Sequence, residues 1–140
     1  MKSLDSQIRI HKWAVDEAQR RLADLERLAA RLAEDLTGLD AEMAREQKIA
    51  GSDGETAATY HVYIAAALRR RETLCRSIAE ASTQVDQARD ALREEFSVLK
   101  KFELAAEAMQ LRARKARDAR DLQIQDEVAL SIFRRKRATH

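Results

Sequence analysis

A chain of 140 residues that is 36% charged, 4% aromatic and free of proline has the make-up of long helices, not of a β or α/β globular domain. A formal net charge of +2 points to no particular polyanion. The single cysteine, Cys75, excludes an internal disulfide and fits a reducing compartment.

The first predicted element is one long helix over about residues 4–50, opened by Ser3 or Asp5 as a cap. Leu4, Ile8, His11, Val15, Ala18, Leu22, Leu25, Ala29, Leu32, Leu36, Leu39 and Met43 recur at alternating steps of four and three, and His11 alone is polar. A mean spacing of about 3.5 residues keeps such a stripe against a neighbour only in a left-handed supercoil. At 1.5 Å per residue the helix spans about 68 Å. Gly38 falls on its outer face, where it costs about 1 kcal/mol against alanine, and does not interrupt the rhythm.

Residues 50–54 punctuate the chain: Gly51 and Gly54 allow it to reverse, and Ser52 with Glu55 reads as a capping box. The second helix follows over about 55–133, ahead of a basic tail at 134–140. Its stripe is Tyr60, Ile64, Ala67, Arg71, Leu74, Ile78, Ala81, Val85, Ala88, Leu92, Glu95, Leu99, Phe102 and Ala106, continuing through Met109, Ala113 and Ala116. Reversal between Gly51 and Ser52 sets Leu39 opposite Ile64, Leu25 opposite Ile78, Leu22 opposite Ala81 and His11 opposite Leu92. Several layers, among them Ala29/Leu74, Leu22/Ala81 and Leu36/Ala67, match a large residue with alanine. Arg71 then reaches from the seam toward Asp35 with its stem packed, and His11 and Glu95 form a polar pair of layers that fixes register. The expectation is an all-α fold: a two-helix antiparallel coiled-coil hairpin, one domain over 1–140, with a longer second helix that overhangs beyond Leu99.

That overhang carries Leu104 and Leu111 on the face opposite the stripe, then Leu122, Ile124, Val128, Ile132 and Phe133, and ends in Arg134-Arg135-Lys136-Arg137. Residues 103–140 hold nine Lys/Arg against six Asp/Glu, where residues 1–102 hold 17 against 18. A helix of this kind calls for a covering partner. Ile10 and Trp13 point outward at the same end of the expected rod, either as packing for neighbouring arginines or as part of a partner surface. At the other tip Tyr60 caps the last layer and Tyr63 stands exposed beside it, for closure of the turn or for recognition.

Nothing in the chain reads as chemistry. There is no glycine-rich phosphate loop, HExxH helix, Cys/His ligand set or Ser/His/Asp spacing. The expectation is a non-enzyme with no catalytic residue, cofactor or metal. His11, His61 and His140 are too far apart on one rod to converge, and Cys75 reads as a small packing residue. Against a basic-zipper reading, the basic segment follows an antiparallel seam and is diluted by Asp118, Asp121, Asp126 and Glu127. No apolar run approaches the roughly 20 residues that span a bilayer, and no secretory apolar region opens the chain. A cytoplasmic protein without membrane insertion is expected.

The layout resembles the FliJ family of coiled-coil proteins of the bacterial flagellar export apparatus and its relatives in type III secretion. The resemblance lies in Ile8–Glu17 (IRIHKWAVDE), the turn near residues 50–54, the segment Tyr60-His61-Val62-Tyr63-Ile64, and Asp126-Glu127-Val128-Ala129 before the Arg-rich tail. It implies a non-enzymatic stalk that is a monomer when free, in the cytoplasm and peripheral to the flagellar base at the inner membrane. It also implies three partners: the export ATPase ring, the cytoplasmic domain of the export gate, and export chaperones. On that resemblance Ile10, Trp13, Leu104, Leu111, Arg134 and Arg135 would face the ATPase, and Tyr60 and Tyr63 the gate. A plain dimerising coiled coil, whose overhang pairs with a second copy, and a helical nucleic-acid binder are the competing expectations.

Overall fold

The computed structural model describes residues 2–50 and 54–139. Among them the secondary structure is two α-helices, α1 (Lys2–Ile49) and α2 (Gly54–Ala138), with no strand. α1 begins ahead of Ser3, so that residue is not its cap, and Asp5 sits in the first turn, where its charge favours the helix N-terminus. α2 runs past Phe133, and Arg135, Lys136 and Arg137 of the expected tail form its last turn, facing the negative end of the helix dipole. The expected capping box depends on Ser52, which lies outside the described residues.

The chain divides into two compact units. The first, Trp13–Phe96, is an antiparallel pair made of most of α1 and the start of α2. Its buried residues are Val15, Leu39, Ala67, Ala81, Val85 and Ala88, all apolar and all on the two predicted stripes. Every other stripe position in the unit, from Ala18 to Met43 and from Tyr60 to Glu95, is half-buried. Among the described residues no side chain is fully enclosed, as expected where each helix has only one neighbour. Thr37, Thr59, Thr73 and Thr83 turn their hydroxyls back onto the carbonyls of Ala33, Glu55, Arg69 and Ala79, so each is satisfied within its own helix.

The stripes are the predicted ones; their register is not. Arg71 donates from Nε to Asp40 at 2.8 Å, not to Asp35. Arg89 lies 3.9 Å from Glu26, and a shallow groove between the helices brings Ala81 beside Leu28 and Leu32. These contacts fit a pairing moved by one heptad, with Leu25 opposite Val85 and Leu22 opposite Ala88. A seam that repeats every seven residues presents equivalent layers after a seven-residue slip, so the layer pattern alone cannot distinguish the two registers.

The second unit, Met1–Lys12 with Ser97–His140, combines the first turns of α1 with the rest of α2. Leu99 is buried, and Leu4, Ile8, His11, Phe102 and Ala106 are half-buried. His11 stacks on Phe102, ring centroids 4.9 Å apart and planes 16° from parallel. A one-heptad slip sets Leu99, not Leu92, opposite His11, and Phe102 is the next stripe position beyond Leu99, within reach of the imidazole. Cover on α2 therefore extends to Ala106 and Ala108, beyond the expected limit at Leu99, and every described residue from Met109 onward is exposed.

Candidate partner-binding surfaces

Seam positions are consumed by pairing, so a residue free to meet a partner must be apolar and out of phase with the stripe. Ile10 and Trp13 satisfy that on α1 and are 55% and 64% exposed. Leu104 and Leu111 satisfy it on α2, each about half exposed. Ile10, Leu104, Leu111, Arg134 and Arg135 fall in the unit that contains the C-terminal part of α2, whereas Trp13 falls in the paired unit. Arg134 and Arg135 are exposed, and the neighbouring Arg137 guanidinium lies 5.8 Å from the centre of the Phe133 ring, a cation–π geometry.

Near the chain reversal Tyr60 is half-buried, as a residue capping the last layer should be. Tyr63 is half-buried too, not exposed as the sequence suggested, and its hydroxyl is shielded from water. Removal from water, with Glu42 and Glu46 of α1 adding their negative charge, raises the Tyr63 phenol above its ordinary value; Arg45 opposes them. With Glu46, Ile49, Thr56 and Tyr60 it lines a shallow groove between α1 and α2. Tyr63 flanks the stripe between Tyr60 and Ala67, on the side where Glu42 and Glu46 of α1 stand, and that placement around the helix, not the axial slip, covers it.

Other apolar groups escaped the sequence reading. Val62, Leu68 and Phe96 are exposed on the paired unit, Val62 most of all at 76%. Each is off the stripe, and that was the available signal. Cys75, expected to pack beside the seam, is exposed, with an Arg71 guanidinium nitrogen 3.9 Å from its sulfur. The Asp40 carboxylate, by hydrogen bond and by charge, holds that guanidinium more firmly protonated than usual. His61 is exposed beside Tyr60, ring centroids 6.4 Å apart. Among the described residues no group of His, Cys, Asp or Glu is disposed to hold a metal ion. Among them, too, no helix is long and apolar enough to cross a membrane.

A sequence model of the family described as "Flagellar FliJ protein" matches residues 1–138. The chain is 35% identical over 129 residues to the flagellar FliJ protein of Caulobacter vibrioides strain NA1000 / CB15N, covering 89% of this chain and 90% of the relative. The protein of the same name from C. vibrioides strain ATCC 19089 / CB 15 matches with the same identity and coverage. No solved structure matches significantly.

Proposed function

The chain belongs to the FliJ family of flagellar proteins, and from that premise we propose that it is a non-enzymatic coiled-coil adaptor of the flagellar protein-export apparatus. In this reading it joins the export ATPase ring to the cytoplasmic domain of the export gate, handles export chaperones, and works in the cytoplasm at the inner-membrane base of the flagellum. One observation carries it: α2 continues as helix from Met109 to Ala138 with every residue exposed and with leucines, isoleucines and a phenylalanine among them. A single helix of that length is marginal in water without packing, so the segment is built to be covered by something else. A stiff two-helix segment at one place and an uncovered helix at another suit an element that must hold two machines at once. Ile10, Trp13, Leu104, Leu111, Arg134 and Arg135 are assigned to the ATPase, and Tyr60 and Tyr63 to the gate. Of the two tyrosines, Tyr60 offers more to the gate, because the Tyr63 hydroxyl is already shielded.

Capture of purified export ATPase on the immobilised chain tests the first assignment. Leu111→Asp and Trp13→Ala should each cut capture by about tenfold, the loss of an apolar anchor at an interface. Equal capture by both variants and the wild type would overturn the assignment. Sedimentation should show a monomer; a stable dimer held through residues 109–138 would favour the dimerising coiled coil.

A further inference from the structure

We infer that the second half of α2 carries a second apolar seam, formed by Leu104, Leu111, Leu122 and Phe133, whose occupant is an acidic partner helix. Leu111, Leu122 and Phe133 are spaced by eleven residues. Eleven residues make very nearly three helical turns and the seven from Leu104 to Leu111 very nearly two, so the four side chains lie on one face within about 20° of a common line. All four are exposed, at 50–59%. Leu99, Phe102 and Ala106, covered within the unit, lie on the opposite face; half-buried Ala108, between Leu104 and Leu111, is on this one. The second seam is therefore not the frayed end of the intramolecular coil. An eleven-residue rhythm also differs in kind from the seven-residue one: it suits a partner lying straight or twisting slightly to the right, not the left-handed partner of the seam.

Charge selects the occupant. Arg112, Arg114, Lys115, Lys136 and Arg137 stand within about a quarter turn of this stripe, against Glu107, Asp118 and Asp126. Over residues 104–138 there are nine Lys/Arg and five Asp/Glu. A second copy would bring the same positive excess to the same face and be repelled, whereas a helix carrying Glu or Asp beside its apolar line would be drawn in. The inference deepens the ATPase reading, since Leu104 and Leu111 belong to both, by stating what chemistry the covering helix must have.

The full chain, titrated into a fluorescent synthetic helix of about 30 residues with leucine every eleven and glutamate alongside, tests this by anisotropy. Binding should weaken about tenfold when lysine replaces the glutamates, and several-fold between low and physiological salt. Leu122→Asp should weaken it about tenfold, while Ala113→Asp, on the opposite face, should leave it unchanged. No binding of the glutamate helix, equal binding of the lysine helix, or indifference to Leu122→Asp would each overturn the inference. So would a wild-type dimer in sedimentation that Leu122→Asp abolishes, because the occupant would then be a second copy. Failure of the wild type to capture the export ATPase would sink the reading above and leave these outcomes standing.

Discussion

α2 contains two helical regions that differ in what holds them. Around Ala81, Val85 and Ala88 the stripe is buried against α1; from Met109 to Ala138 nothing is buried. Both regions are rich in charge and alanine, and neither contains proline. The first owes its stability to apolar area removed from water, at roughly 25 cal/mol per Å². The second has only intrinsic propensity and a favourable charge at its last turn. A seam that is already filled rejects substitution, and a face that is still open tolerates it until the partner arrives.

The sharpest way to break that comparison is a matched pair of substitutions. Val85→Asp places a carboxylate where only 7% of the residue is exposed, and should cost about 3 kcal/mol or more in urea-monitored unfolding. Leu122→Asp, on a 59% exposed residue, should stay within about 0.5 kcal/mol. Similar losses in both would mean that the two regions are held alike. Next in size, Leu39→Ala should cost about 2–4 kcal/mol, since Leu39 is among the most completely covered large residues of the pair. In the opposite direction, Gly38→Ala should stabilise by about 0.5–1 kcal/mol: no atom would touch the added methyl, and the glycine has no positive φ to protect. A fall in melting temperature for that variant would reveal a neighbour on that face.

Smaller effects test the register. Arg71 and Asp40 are both more than two-fifths exposed, so a double-mutant cycle to alanine should give only about 0.5 kcal/mol of coupling. The same cycle with Asp35 should give none; the reverse result would restore the pairing expected from the turn. Smallest is a pH effect. The Tyr63 phenol is raised above 10.0 in the folded protein, so the folded state holds that proton more tightly than the unfolded chain. Its contribution to stability is fully present below pH 10 and is lost as pH rises through the folded value. Tyr63→Phe should flatten the alkaline fall in stability and remove the latest-titrating part of the tyrosinate absorbance.

Much of this protein was legible from residue order alone. A four–three rhythm on Leu4 to Met43 and another on Tyr60 to Ala106 identify which side chains pair, because helical periodicity is local and every described position on them is buried or half-buried. Ile10, Trp13, Leu104 and Leu111 were recognisable as outward-facing for the same reason. The register was not legible. Sliding one helix by seven residues leaves each layer equivalent in kind, so whether Arg71 reaches Asp35 or Asp40, and whether Leu92 or Leu99 lies opposite His11, depends on how the reversal closes and on the fit of whole faces. The start of the uncovered helix at Met109 follows from that one slip. Periodicity sets direction around a helix axis; position along the axis is decided only when two helices meet.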